Sequence, residues 1–351
     1  MCIALITTSH PDYALVVIDN RDEFILRPTS RPEWWMHPAG HEILSSRDLQ
    51  RAEKGTWMGI SRSGALAVLT NYRETQLDDK THPICARRSR GGMVTAWLGS
   101  RADESTKDAL DSLLAGGVGG VGGFSMVCGK LRRVGERQLQ PLAIVSNRCD
   151  HLDHVEWIGD RRGQVYGLSN TVYGDPDSWR KIDEGMKMVD QAARDAHANQ
   201  LTEDQLCDVL FGILDSNTLP QVPGVSMEDT IEYMRESIFI PPVGDSQHRQ
   251  AMAARQALGK KRWGSAADKT SEEKAVTLVS AAPEQAGLAG FDTGMYGTQR
   301  QTIILVDWEG NVTFKERALW DANGNAIPRG EADVMHRFKI DGWDAREESG
   351  K

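Results

Sequence analysis

The sequence lacks long apolar runs, an excess of basic residues and closely spaced cysteine pairs, and each absence excludes a class of protein. Its longest apolar stretches, such as residues 13–18, have the length of a strand and are far too short to span a membrane. The net charge of −9 argues against nucleic acid as a partner, because binding to phosphate requires a basic surface. No basic segment followed by an apolar one opens the chain, so no secretory signal is predicted. We expect a cytoplasmic protein without a transmembrane segment.

The five cysteines are scattered and include no CxxC pair, which is typical of neither a disulfide framework nor a zinc site. The short histidine pairs at 37–41 and 151–154 also lack the spacing of metal ligands. We therefore predict a reducing compartment and no bound metal.

Short segments rich in β-branched residues open and close the chain, and helical patterns lie between them. The strands are predicted at 2–7, 13–19, 302–307 and 312–316, and amphipathic helices at 179–196 and 202–214. This order predicts a layered α+β domain whose first and last strands share a sheet. Residues 247–274 are polar and Ala-rich, which indicates an exposed helical insertion or a partly disordered loop.

Cys2 has two interpretations. Removal of Met1 would leave it with a free α-amine, whose pKa near ~8 suits a base at neutral pH. One residue would then supply both the nucleophile and its base. The alternative is a buried strand cysteine, since free cysteine is among the most buried residue types.

The polar motif Asn20-Arg21-Asp22-Glu23 follows the second predicted strand. If the first two strands form a hairpin, this motif and Cys2 lie at the same end. An arginine beside a thiol favours the thiolate, and an aspartate can orient the α-amine. A charged surface turn is the alternative interpretation.

Asn71 and Asn170 each end a predicted strand, and neutral amides are suitable donors to a developing oxyanion. Asparagine is equally common in turns. Arg300 lies at the start of a late strand and could bring a cation to the same edge of the sheet. Together these residues indicate an acyl-transfer site.

A set of motifs in fixed order resembles the NRDE-motif family, and within it the Transport and Golgi organisation proteins. The motifs are MC at 1–2, NRDEF at 20–24, GTWMGIS at 55–61, LTNYRE at 69–74, YGLSN at 166–170, WRK at 179–181 and YGT at 296–298. The resemblance covers roughly residues 1–240 and 294–340. It implies a single domain over 1–351 with a polar insertion at about 243–290.

The resemblance implies an N-terminal-nucleophile-hydrolase-like fold, a four-layer αββα sandwich with antiparallel sheets. Relatives of that fold cleave amides with an N-terminal cysteine. Carried over by position, Cys2 is the nucleophile, Asp22 holds its amine and Arg21 is the nearby arginine. Asn71 and Asn170 resemble the asparagines that support the oxyanion and the amine.

The late arginine of the family corresponds to Arg300, with one departure. The family usually has YGTR, whereas this chain has Gln299 in the place of the arginine and Arg300 one residue later. A one-residue shift on a strand turns a side chain to the other face unless the backbone absorbs it. Asn20 and Glu23, the outer residues of the polar motif, are predicted to contact substrate.

Two functions follow from the resemblance. The first is a role in secretory-pathway and Golgi organisation and in lipid or haem homeostasis, with haem as a possible ligand and a possible association with the Golgi, the ER or mitochondria. The alternative is an N-terminal cysteine hydrolase that cleaves a small amide or acyl substrate through Cys2. The hydrolase requires no cofactor.

Overall fold

The computed structural model describes residues 1–72, 89–118, 121–175, 179–220, 230, 232–262 and 294–344. The segment predicted as a polar insertion begins with a helix, Ser246–Arg262, and its remainder to residue 290 lies outside these ranges. Cys85 also lies outside them.

The bounds of fifteen strands, five α-helices and one 3-10 helix, Leu152–His154, are described. The strands are Ile3–Thr7 (β1), Tyr13–Phe24 (β2), Glu33–Met36 (β3), Glu42–Ser45 (β4), Met58–Ser61 (β5), Ala65–Asn71 (β6), Phe124–Lys130 (β7), Arg133–Val134 (β8), Gln138–Leu139 (β9), Leu142–Ser146 (β10), Glu156–Ile158 (β11), Val165–Ser169 (β12), Tyr296–Asp307 (β13), Asn311–Ala318 (β14) and Asp333–Lys339 (β15). The helices are Arg90–Leu98 (α1), Thr106–Ala115 (α2), Arg180–Ala198 (α3), Glu203–Leu214 (α4) and Ser246–Arg262 (α5).

The strands form two large antiparallel sheets and one small hairpin. The first sheet has the order β12-β1-β2-β13-β14-β15, and the second has the order β11-β10-β7-β6-β5-β4-β3. The first and last parts of the chain therefore share a sheet, which confirms the prediction. The third sheet pairs only β8 with β9.

Three hydrophobic clusters define the layers. One fills the space between the two large sheets and includes Ile6 and Ile304 from the first sheet and Leu66 from the second. A second cluster packs α1 and α2 on the outer face of the second sheet, and a third packs α3 and α4 on the outer face of the first. The order helix, sheet, sheet, helix is the four-layer αββα sandwich expected of this α+β chain.

Two glycines bring the beginning of α3 close to the first sheet. A Cβ atom on Gly167 of β12 would lie 2.5 Å from Ile182, and one on Gly185 of α3 would lie 2.8 Å from Leu5. A larger residue at either position would have to displace these side chains. The close packing places the first turn of α3 beside the start of β1, where Cys2 lies.

A β-bulge interrupts the pairing of β13 with β2. Thr298 pairs with Asp22 and Arg300 pairs with Arg21, so Gln299 is the extra residue. The bulge absorbs the one-residue shift noted in the sequence. Arg300 thereby faces Arg21, in the register position that residue 299 would take in a regular strand.

Within the described part of the chain, no helix is both long and apolar enough to cross a bilayer.

Candidate functional site

Cys2 immediately precedes β1 and lies where the strands of the first sheet end. Its thiol donates a hydrogen bond to the main-chain oxygen of Asp22 at 3.6 Å, and its own carbonyl accepts one from Ser169 Oγ at 2.6 Å. Desolvation raises the pKa of the Cys2 thiol to about 11, although the adjacent α-amine acts in the opposite direction. With Met1 in place, the thiol is therefore protonated at neutral pH.

The buried carboxylate of Asp22 holds the α-amine of the chain. The Met1 nitrogen lies 3.1 Å from Asp22 Oδ2 and donates a hydrogen bond to the hydroxyl of Tyr296. The other carboxylate oxygen of Asp22 accepts from Thr298 Oγ1 at 2.7 Å. Burial lowers the pKa of the Met1 amine, and Asp22 opposes this shift. The sequence placed Asp22 at the amine of Cys2, whereas in this chain the amine it contacts is that of Met1.

Lys181, the second residue of α3, completes the surroundings of the N-terminus. Its ammonium Nζ donates to the carbonyl oxygen of Met1 at 2.6 Å, and its side chain is only 1% exposed. Burial lowers the pKa of Lys181 to about 8, and the nearby Asp22 and Cys2 limit the shift. The sequence analysis did not predict this residue as part of the site. The only signal was its place in the WRK motif.

Asn71, the last residue of β6, and Asn170, which follows β12, connect the second sheet with the surroundings of Cys2. The side-chain amide of Asn170 donates to the main-chain oxygen of Asn71, and Thr70 Oγ1 donates to Ser169 O at 2.7 Å. Because Ser169 pairs with Ile3 in the first sheet, Asn170 lies beside Cys2. The Oδ1 atoms of both asparagines are buried and have no hydrogen-bond partner among the described residues.

Arg21 lies on the face of β2 that is directed between the sheets. Its guanidinium group is 4.5 Å from the centre of the Trp57 ring and donates a hydrogen bond to Gln299 Oε1. Glu23 lies 3.9 Å from Arg21 and 3.3 Å from Arg27, so its carboxylate is shared between two cations. This ion-paired cluster borders the site rather than contacting the thiol.

Asn20 is directed away from Cys2, towards the helical layer. Its amide nitrogen donates to Leu214 O at 2.8 Å and to Ile238 O at 2.9 Å, and the side chain is completely buried. Leu214 is the last residue of α4, so Asn20 satisfies a carbonyl at the end of that helix. These contacts describe a structural role for the residue.

Arg300 lies on β13, which is separated from β1 and Cys2 by β2. Its guanidinium group donates to Thr29 Oγ1 at 2.9 and 3.2 Å. Its positive charge also stabilises the ionised form of Glu316. Desolvation of this buried carboxyl outweighs that effect and raises its pKa above the usual value. Arg90, at the start of α1, is a second cation that the sequence analysis missed: it donates to Gly123 O at 3.4 Å and interacts electrostatically with Glu23 and Cys2.

Two cavities flank this region. One of about 260 Å³ lies between β12 and α3 and is lined in part by Ser169, Tyr173 and Met186. The other, of about 470 Å³, lies between α1 and α2 and is lined in part by Ser89 and Met93. Cys2 lines neither of them. Across the described ranges, no group of three or more His, Cys, Asp or Glu residues is arranged to hold a metal ion.

Comparison with known proteins identifies the family. The family model "Transport and Golgi organisation 2" matches residues 1–321. The chain belongs to this family. It is 30% identical over 313 residues to the human "Transport and Golgi organization protein 2 homolog", with 88% of each chain covered. The mouse member of the family is 28% identical over 312 residues, again with 88% of each chain covered.

Solved structures similar to this family member include an acylase and an ortholog of an acid amidase. The penicillin V acylase from Agrobacterium tumefaciens has a TM-score of 0.34 and 10% identity, with 91% of this chain and 84% of that chain covered. The Caenorhabditis elegans N-acylethanolamine-hydrolyzing acid amidase ortholog has a TM-score of 0.37 and 12% identity, with 67% and 97% covered. These likenesses are low, so the description of the fold rests on the layers and sheet order given above.

Proposed function

We propose that this protein is an N-terminal cysteine hydrolase that cleaves an amide or acyl bond of a small molecule after Met1 has been removed. The observation that supports the proposal is the placement of the α-amine and the thiol. Asp22 holds the chain's amine at 3.1 Å with one carboxylate oxygen, and its main-chain oxygen accepts from the Cys2 thiol. The thiol and the carboxylate are therefore adjacent, and the amine held here is that of Met1, one residue before the nitrogen that becomes the base.

Removal of Met1 creates the base. The peptide nitrogen of Cys2 becomes a primary amine, and an amine of this type has a pKa near ~8, low enough to accept a proton at neutral pH. The thiol proton moves to this amine while the sulfur attacks the substrate carbonyl. The leaving group then takes the proton, and water cleaves the resulting thioester by the same steps.

The surrounding polar groups have separate tasks in this proposal. Asn71 and Asn170 lie where amide groups can hydrogen-bond the oxyanion or orient the amine. Glu23, with Arg21, borders the site and is the candidate contact for a polar group of the substrate. Arg300 contributes indirectly, through its hydrogen bonds to Thr29 and its electrostatic interaction with the buried Glu316.

The test compares a protein that begins at Met1 with one that begins at Cys2, each released from a fusion by proteolysis. Each is incubated with 4-nitrophenyl acetate, and acetylation is mapped by mass spectrometry. We expect acetylation of Cys2 and turnover only in the protein that begins at Cys2. The C2A variant should lose both, whereas C207A, which changes a buried cysteine in α4, should retain them. Equal acetylation of C2A and the parent protein would refute the proposal.

Haem fits the surroundings of Cys2 poorly. Cysteine ligates haem iron as the thiolate, but desolvation keeps this thiol protonated and it donates to Asp22. An amide or acyl substrate is therefore the better supported ligand. A Soret shift on haem titration that disappears in C2A would contradict this choice.

The cellular role proposed for this chain is the one that its relatives' names state, transport and Golgi organisation. Acyl hydrolysis at Cys2 would connect that role with lipid homeostasis and with a cytoplasmic protein that associates with the Golgi, the ER or mitochondria. Replacing the cellular gene with the C2A variant tests the connection. We expect the same Golgi morphology and lipid composition in the C2A cells as in cells from which the gene is deleted. C2A cells that match the parent cells and differ from the deletion would show that the role does not need the thiol.

A further inference from the structure

Lys181 is a buried cation that donates a hydrogen bond to Met1, the residue whose removal the proposed reaction requires. Its ammonium donates to the Met1 carbonyl oxygen at 2.6 Å, and Nζ also lies 5.5 Å from the centre of the Trp179 ring. No carboxylate oxygen within the described ranges lies within salt-bridge distance of Nζ. A buried ammonium is stable only where acceptors surround it. The Met1 carbonyl is the acceptor in this structure.

Loss of Met1 removes that acceptor and leaves the ammonium at the site. Asp22 has other partners in the proposed reaction: one of its oxygens accepts from Thr298, and the other, which holds the Met1 amine here, pairs with the new α-amine of Cys2. The first turn of α3 is also fixed in place, since the main-chain nitrogen of Lys181 donates to Arg235 O at 3.2 Å and Gly185 packs on Leu5. The position of the Met1 carbonyl oxygen is therefore open to an oxygen acceptor from outside the chain.

We propose that Lys181 is a catalytic residue of the acyl-transfer reaction, whose ammonium binds the carbonyl oxygen of the substrate in the position that the Met1 carbonyl oxygen occupies here. The proposal rests on the proposed function and extends it. The substrate class is an acyl compound whose reacting carbonyl is bound by a cation.

The charges of the reaction balance with this assignment. The thiol proton moves to the α-amine, and the resulting ammonium is paired with Asp22. The Sγ–C bond forms, and the carbonyl electron pair moves to oxygen as an alkoxide, which is paired with Lys181. When the alkoxide collapses, the bond to the leaving group breaks and the leaving group takes the proton from the α-ammonium. Asn71 and Asn170 are neutral and supply no counter-charge.

The test uses protein that begins at Cys2 and two probes, 4-nitrophenyl acetate for acylation and acetate ion for binding of an oxygen anion. The variant is K181M, and K187M is the matched control, because Lys187 lies on the same helix with an exposed side chain paired to Glu184. Acetate binding is measured as a rise in melting temperature, with sodium chloride at equal ionic strength as the reference.

We expect K181M to acylate about 10²–10³-fold more slowly, the usual effect of losing one oxyanion donor. The loss should lie in kcat rather than in KM, and the rise in melting temperature with acetate should disappear. K187M should match the parent protein in both measurements. If K181M does not fold, K181Q, which keeps a neutral donor, takes its place and should show the same direction of change.

The outcomes separate the two proposals. Unchanged acylation and unchanged acetate binding in K181M overturn the role of Lys181 while Cys2 acylation still stands. Acetate binding that depends on Lys181, without acylation of the parent protein, supports the oxygen-binding site and overturns the hydrolase. Absence of both effects overturns both proposals.

Discussion

Replacement of Asn20 by alanine tests whether this residue of the polar motif supports the fold or contacts substrate. In the structure its amide donates to two buried main-chain oxygens, those of Leu214 and Ile238, at 2.8 and 2.9 Å. N20A leaves both carbonyls without this donor in a place that water does not reach. Each such loss costs about 1–3 kcal/mol, so the free energy of unfolding should fall by about 2–6 kcal/mol. A loss of this size is a large part of the total stability of a typical domain.

The matched control is N199A. Asn199 caps the end of α3 with the same kind of bond, from Nδ2 to Asp195 O at 2.8 Å, but it is exposed. Water replaces that donor, so N199A should cost less than about 0.5 kcal/mol. Equilibrium unfolding in urea measures both variants. The structural interpretation of Asn20 fails if N20A loses less than about 1 kcal/mol, or if it retains stability while the acylation rate of Cys2 falls.

Three further predictions follow from buried contacts and charges. G55A should destabilise the fold by about 1–3 kcal/mol, because the new Cβ would lie 2.9 Å from the main-chain carbon of Gly91 in the first turn of α1. G212A, in an open position on α4, should stabilise the fold by about 0.5–1 kcal/mol. Urea unfolding measures both variants, and changes in unfolding free energy of the same sign would contradict the packing described for these glycines. D19N should gain stability relative to the parent protein as the pH rises from about 4. Burial raises the pKa of Asp19 in the folded state well above its usual value. Between the unfolded and the folded pKa, the folded state therefore holds one proton more than the unfolded state. The parent protein loses stability as the pH rises through this range, because unfolding then releases that proton. Melting temperatures that keep a constant difference across this range would disprove that shift.

The sequence predicted the elements whose side-chain pattern is periodic. The strands predicted at 302–307 and 312–316 are confirmed as parts of β13 and β14, with Gly310 in the left-handed conformation at the turn between them. The helix predicted from 202 is confirmed as α4, where Thr202 and Gln205 form a capping box. The ends of the other elements depend on contacts with distant parts of the chain. β2 continues to Phe24, beyond the predicted end at 19, because β13 pairs with the polar segment and its side chains find buried partners.

The candidate site was predictable where the residue type itself indicates chemistry. Cys2, Asp22, Asn71 and Asn170 are brought to one edge of the two sheets, as their positions at strand ends indicated. Lys181 was missed for a physical reason. A lysine on an amphipathic helix is normally solvated, whereas this one is buried by tertiary contacts, among them its hydrogen bond to the Met1 carbonyl oxygen.

Gln299 shows how an extra residue is accommodated without moving the groups on either side. On one side of the bulge Thr298 still meets Asp22, and on the other side Arg300 still faces Arg21. The extra residue brings buried polar groups that need partners. Its carbonyl oxygen accepts from Leu319 N at 3.2 Å, and its side-chain amide accepts from Arg21 and donates to the main-chain oxygens of Ile25 and Arg27 at 3.1 and 2.7 Å. An arginine at 299 has no acceptor for Arg21 and would place two guanidinium groups together in a buried layer. Glutamine at 299 and arginine at 300 are therefore linked changes, because the bulge that restores the register of Arg300 also requires a side chain at 299 that both accepts and donates.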